Sequence, residues 1–339
     1  MLVLGLAACS AACSKQEVTT MPERGDDEIC FTVAPLTKAE TKTFDTGNIF
    51  QTAAFYTPSA FNYSEGENFL SSSVSYTKTS SSWKTATTYY WPKDGGVLSF
   101  FSWSLNSGSL TFKKGTPGIS ITPTAGLTLT DYSSEGNDDF MVADPALSLK
   151  GNANTYGHLG VPTLFRHKTS KVAFKVKTSE SYSDRTFTLT GISFQNVSTS
   201  GSYVQGTNPT SSSASTESWT ADASDATTSY YSSADGMTIP TTAADVTSNG
   251  TYLFVPQSFT DGDAKTMTVN YTVKTSAKTV EKSAEISLNT LLGGSSTLST
   301  QFEKGKIYTI TLIFSSKQIL WDPEVQEWDG AAQAVTVGE

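Results

Sequence analysis

The sequence predicts an all-β protein made of two tandem β-sandwiches. Three observations carry this expectation. Ser (47) and Thr (51) make up 98 of 339 residues, with 25 Gly and 12 Pro besides. Ser and Gly disfavour helix interiors, while Thr and the aromatics suit pleated surfaces. Eighteen Phe, 14 Tyr and 6 Trp supply material for a buried core, which separates the chain from disordered polar sequences. Finally, no stretch sustains a 3.6-residue apolar period, whereas short alternating runs recur between turn signals about every 8–12 residues. Roughly fifteen such strands in 339 residues exceed what one sandwich needs.

Taken in order, residues 29–33 form the first apolar run, with Thr32 inside it. Residues 50–56, 69–76 and 87–91 follow, and Lys93-Asp94-Gly95-Gly96 marks a turn. Residues 97–105 (VLSFFSWSL) are the most aromatic strand, and 118–121 and 140–142 are shorter ones. The Gly/Asn-rich residues 151–160 are the expected inter-domain region, giving domains over 29–155 and 156–339. Beyond it come 161–165 and then 171–178 (KVAFKVKT), where Val172, Phe174 and Val176 alternate with mostly polar neighbours. Residues 186–197 repeat the alternation around a Gly that suggests a bulge. The Ser/Thr-rich residues 198–216 and 221–235 read as loops. Further strands are expected at 251–256, 267–273, 280–288 and 306–314, with an extended close at 319–328. Apolar residues on both faces of KIYTITLIF mark 306–314 as a central strand covered on both sides.

A net charge of −9 opposes a nucleic-acid partner, which needs a basic footprint. Past the N-terminus no apolar run reaches the ~20 residues of a membrane-spanning helix. None of the three cysteines, Cys9, Cys13 and Cys30, lies beyond the first strand of the body, so no disulfide framework is expected. Residues 1–12 (MLVLGLAACSAA) read as the end of a secretory signal. Leu6-Ala7-Ala8-Cys9 resembles a bacterial lipobox, and Ser10-Ala11-Ala12-Cys13 is a second, weaker match. Acylation of Cys9 or Cys13 would hold the chain on a membrane, since each buried CH₂ contributes ~0.8 kcal/mol. Residues 13–28 then read as a polar tether.

Catalytic motifs are absent: no GxSxG, HExxH, CxxC or P-loop occurs, so no enzyme activity and no cofactor are expected. His158 and His167 are the only histidines, and His167, directly before a strand, suits a structural hydrogen-bonding role. Asp138, Asp139 and Asp144, or Asp261 and Asp263, offer hard oxygen ligands without a full calcium-loop spacing, so ordinary Asp turns are the reading and no metal is expected. Trp83, Trp91 and Trp103 would serve as a carbohydrate platform only if exposed, and strand aromatics are usually core. A surface glycan-binding lipoprotein using Trp83 or Trp219 stays open as the alternative.

Several ordered segments resemble the fimbrillin family of surface lipoproteins that build type V pili. They are Tyr89-Tyr90-Trp91-Pro92, then 98–103 (LSFFSW), 139–143 (DFMVA), 164–174 (LFRHKTSKVAF), 254–258 (FVPQS), Gly305-Lys306-Ile307-Tyr308 and Trp328. The resemblance implies two transthyretin-like sandwiches and assembly by strand exchange: a protease removes the first strand, and a neighbouring subunit's strand fills the groove. On this chain the removable strand would be 29–35, with Ile29, Phe31 and Val33 as the strand-exchange residues. Similar proteins carry Thr-Arg-Ala just after it; here Thr37-Lys38-Ala39 and Thr41-Lys42 stand instead, making Lys38 and Lys42 the processing candidates. The only nearby arginine, Arg24, precedes the strand. The C-terminal AAQAVTVGE offers Val335 and Val337 as a donor strand or a final edge strand. The implied setting is the outer membrane and then the fimbrium, with other pilin subunits and a host or bacterial surface ligand as partners.

Overall fold

A computed structural model describes residues 28–33, 49–61, 67–70, 74–78, 83–105, 118–122, 126–134, 137–151, 160–206, 217–224, 226–260, 265–293 and 300–328. The first half runs β1 (Phe31–Val33), β2 (Ile49–Thr57), β3 (Glu67–Asn68), β4 (Val74–Lys78), β5 (Trp83–Lys84), β6 (Val97–Leu105), β7 (Gly118–Thr122), β8 (Gly126–Ser133), β9 (Phe140–Ala143), β10 (Ala146–Leu149), β11 (Val161–Thr163) and β12 (Phe165–His167). The second continues with β13 (Ser170–Thr178), β14 (Arg185–Gln195), β15 (Ser200–Val204), β16 (Ser218–Ala221), β17 (Thr227–Thr238), β18 (Ala244–Val246), β19 (Leu253–Phe254), β20 (Gln257–Ser258), β21 (Thr266–Thr275), β22 (Thr279–Ser287), the short helix α1 (Leu288–Gly293), β23 (Gln301–Phe302), β24 (Lys306–Phe314) and β25 (Ile319–Glu327). The all-β fold of packed sheets is the one the composition predicts.

In the first half an eight-stranded sheet is the middle layer, ordered β12-β9-β6-β2-β4-β5 with β10 on β6 and β3 on β2. All nine residues of β6 are buried. Leu98 and Phe100 face a cluster that includes Ile29, Phe31, Phe50 and Tyr76, while Trp103 and Leu105 face Leu127, Leu129, Tyr132 and Tyr203 on the other side. That double burial explains why VLSFFSWSL reads as a continuous apolar run without clean alternation. Its polar atoms are satisfied inside the sheet: the Ser102 hydroxyl donates to Thr52 Oγ1 (2.9 Å), the Ser104 hydroxyl to the Ile49 carbonyl (2.9 Å), and the Trp103 indole to Gln51 Oε1 (3.0 Å).

The sheet against the Trp103 face is ordered β16-β15-β8-β7, so the β15–β16 pair, which follows β14 in the chain, hydrogen-bonds to strands of the first half. The halves meet through further bonds. The Ser134 hydroxyl donates to the Leu253 carbonyl (2.6 Å), the Asn137 side-chain amide donates to the Gly250 carbonyl (3.1 Å), and the Tyr252 amide donates to Asn137 Oδ1 (2.7 Å). Asn137 holds a φ of +59°, a conformation Asn tolerates better than most residues.

The second half is a two-sheet sandwich: β18-β13-β24-β25, with β19 on β13, faces β17-β14-β21-β22. Val172, Phe174 and Val176 of β13 point into one core with Phe187, Leu189 and Phe194 of β14 and Ile310, Leu312 and Phe314 of β24. β24 lies parallel to β13 and antiparallel to β25. It is central in its ladder, but its outer face differs from the expectation: Ile307 is buried against Leu253 and Trp328, whereas Thr309, Thr311 and Ile313 are only half-buried.

Four local readings are corrected. The strand expected to Leu288 ends at Ser287, and α1 follows because Leu288, Leu291 and Leu292 need helical spacing to reach the core together. The expected loops at 198–216 and 221–235 contain β15 and most of β17; both are strands held by partners, with β17 contributing buried Tyr230 from a mostly exposed edge. β8 was not anticipated, since its Leu127, Leu129 and Tyr132 lie between Thr and Ser. Residues 87–91 form no strand and contribute one bridge, Tyr90 to Glu28.

Candidate functional site: the buried leading strand

The chain leading into β1 is deeply placed: Ile29 is 3% exposed, Cys30 7% and Phe31 6%. Thr32 is exposed and Val33 half-buried. The Phe31 ring sits among three others contributed by three strands: Phe50 of β2 (5.3 Å, 68°), Tyr76 of β4 (4.6 Å, 58°) and Phe100 of β6 (5.5 Å, 85°). Tilted and edge-on arrangements of this kind match ring edges to ring faces. Burial pushes the Tyr76 hydroxyl well above its usual range, and Tyr89, Cys30 and Glu28 add to the effect. Cys30 is buried and makes no disulfide.

Backbone pairing of this segment is divided between two sides. The Ile29 amide donates to the Tyr89 carbonyl (2.8 Å), and the Val161 amide donates to the Cys30 carbonyl (2.7 Å). β1 pairs with β11 in parallel, Phe31 opposite Val161 and Val33 opposite Thr163. Gly160 shapes the approach. Its φ is +80°, and a Cβ there would lie 2.9 Å from the Phe31 carbonyl carbon and 3.0 Å from the Thr32 nitrogen. Glycine is therefore required both by conformation and by the closeness of β1. At the other end Gly151 lies under Trp91, whose ring would meet a Cβ at 1.9 Å, and Trp91 in turn packs edge-on against Phe100 (5.7 Å). The result is a short strand lying in an aromatic trench across one face of the middle sheet.

The apolar run with Ile29, Phe31 and Val33 is legible in the sequence; the trench-lining Phe50, Tyr76, Phe100 and Gly160 are not, since long-range pairing brings them together. Cys9, Cys13, Lys38, Lys42, Val335, Val337, His158, Asp261 and Asp263 lie outside the described residues.

The other candidates have structural surroundings. Trp83, Trp91 and Trp103 are buried in the core, so they present no platform to solvent. Trp219 is half-buried against Tyr132 and Tyr203, each at 5.4 Å. His167 Nδ1 lies 2.7 Å from Asp139 Oδ2, and the ring stacks on Trp328 at 3.7 Å and 7°. Asp144 holds Arg166 through two contacts of 2.8 Å. The described residues contain no group of three or more His, Cys, Asp or Glu arranged to hold a metal ion.

A charged cluster the sequence did not announce lies where the halves meet. Glu217, just before β16, pairs with Lys168 between β12 and β13 (2.8 Å), with Lys304 before β24, and accepts a hydrogen bond from Tyr203 of β15 (2.5 Å). Burial alone would raise the Glu217 carboxyl, but Lys168, Lys304 and Tyr203 together hold it down at about 2. Burial lowers Lys168, and Glu217 offsets part of that.

Sheets stacked face to face, with a leading strand laid into the core of the first, define a β-sandwich protein. The chain belongs to the fimbrillin-like family, whose model matches residues 37–328. Among solved structures it is similar to a fimbrial protein from Bacteroides vulgatus, with 17% identity, a TM-score of 0.57, and coverage of 89% of this chain and 99% of that one. A Bacteroides uniformis protein assigned provisionally to cell adhesion gives 16% identity, a TM-score of 0.54, and coverage of 89% and 99%. At these identities the likeness establishes the shared fold. No curated protein matches the chain in sequence.

Proposed function

We propose that the chain is the lipid-anchored precursor of a pilus subunit, with a structural or adhesive role, whose first strand is a removable plug. The observation that carries this reading is the placement of Phe31: a large side chain buried in an aromatic trench, on a three-residue strand laid beside β11. Proteolysis after Lys38 or Lys42 would free the segment containing Ile29, Phe31 and Val33. Its departure would leave an apolar trench and unpaired backbone groups at 89–90 and 161–163, and an incoming strand satisfies both demands at once. The segment with Val335 and Val337 is the candidate strand offered to a neighbour. Acylation at Cys9 or Cys13 would hold the precursor at the outer membrane before assembly into the fimbrium.

Two experiments test this. A trypsin-like protease should yield a folded body beginning at Ala39 or Thr43, and that body should form polymers or co-assemble with other pilins. An uncut monomer, or a body that unfolds once cut, contradicts the reading. Cells expressing the chain should incorporate labelled palmitate, and the double variant C9A/C13A should not; equal labelling of both removes the lipid anchor from the account.

A further inference from the structure

We infer that the trench chooses its incoming strand by an aromatic side chain at the central inward position, flanked two residues before by a large aliphatic, and that the C-terminal segment of a second copy of this chain is a poor occupant. This rests on the strand-exchange reading and names the partner's chemistry: an extended peptide of the pattern aliphatic–x–aromatic–x–aliphatic. The argument comes from the walls of the trench. Phe50, Tyr76 and Phe100 are 0–2% exposed with Phe31 in place, and Phe100 also packs edge-on against Trp91 (5.7 Å). They also hold one another: Phe50 stacks on Tyr76 (5.5 Å, 10°) and packs against Trp83 (4.8 Å) and Phe165 (5.5 Å). Walls braced in this way do not collapse onto a smaller side chain, so a valine at the Phe31 position leaves a void.

The flanking positions differ in stringency. Ile29 is buried and its amide donates to Tyr89, so the matching position demands a large aliphatic and excludes proline. Val33 is half-buried, which makes the last position tolerant. Gly160 fixes how closely the incoming backbone must approach, since it leaves no side chain between itself and positions 31–32. Against this requirement, residues 331–339 (AAQAVTVGE) contain no aromatic residue. Setting Val335 or Val337 at the central position replaces Phe by Val. Residues 331–339 of a second copy therefore fit this trench poorly, and the strand that fills it carries an aromatic at the central inward position.

The test uses the full chain with a site-specific protease sequence inserted between residues 33 and 49, cut and checked for a native near-ultraviolet spectrum. Three synthetic peptides compete for the trench: residues 28–35 with Cys30→Ser, the same peptide with Phe31→Val, and residues 331–339. The phenylalanine peptide should bind, the valine peptide should bind roughly 10- to 100-fold more weakly, and the C-terminal peptide no better than the valine one. Affinities of the first two peptides within about threefold of each other overturn the aromatic selection while leaving strand exchange standing. Tight binding by 331–339 overturns the claim about the second copy. Binding by none of the three removes the strand-exchange reading itself.

Discussion

Replacing Phe31 with alanine isolates the energetics of the leading strand. Phe-to-Ala truncations in cores cost ~3–5 kcal/mol, and braced walls that resist collapse favour the upper part of that range. The three ring pairs around Phe31 add specific contact energy of ~0.5–1.5 kcal/mol each to its burial. A loss of about 4 kcal/mol corresponds to roughly a thousandfold change in an opening equilibrium. Native-state hydrogen exchange reads it at the Val161 amide, which is protected by the Cys30 carbonyl. In F31A that protection should fall by about three orders of magnitude, while the amides of the β14–β21 ladder, in the other core, stay within about threefold of wild type. The reasoning is refuted if both sets fall together, because the strand would then open only with the whole molecule.

Other expectations follow from single features. Gly160→Ala combines a left-handed backbone with a 2.9 Å approach to Phe31, and should lower stability by ~2–3 kcal/mol in denaturant titrations. Glu217 has a folded-state value of about 2, below its unfolded value of 4.5, so its contribution is complete above pH 4.5 and is lost as pH falls toward 2. That shift is worth ~3 kcal/mol at most, with the cost of burying Lys168 cancelling part of it. Glu217→Gln should therefore be less stable at pH 7 and lose less than wild type between pH 5 and pH 2.5, as seen in urea midpoints. Asn137→Ala removes two bonds between the halves and strains a positive φ, so ~2 kcal/mol and faster proteolysis near residues 250–252 are expected.

How far the sequence led depends on what each element needed to be recognised. β13 and β14 were legible because one covered face imposes a period of two on residues such as Val172, Phe174 and Val176, while β24 was legible as an apolar run, though not in how far its outer face is covered. β15, β16 and β17 were hidden, since Tyr203, Trp219 and the Tyr230-Tyr231 pair stand in Ser/Thr-rich runs, and only pairing with distant strands makes those runs extended. α1 was hidden because six residues are too few to display a period. In the trench the same division holds. The plug's apolar run is local and visible, whereas its walls come from positions 50, 76, 100 and 160, which no local pattern links. The Lys168–Glu217–Lys304 cluster brings together residues up to 136 positions apart by the same route.

Whether β1 leaves its trench while the rest of the molecule stays folded can be measured on the chain carrying the inserted protease site. After cutting, native mass spectrometry distinguishes the complete chain, the nicked complex and the body lacking its leading segment. The account predicts that the leading segment departs slowly, that added phenylalanine-bearing strand peptide speeds its replacement, and that the body keeps a compact charge-state distribution throughout. A nicked complex that never exchanges its segment, or a body whose charge states broaden as soon as the segment is lost, contradicts it.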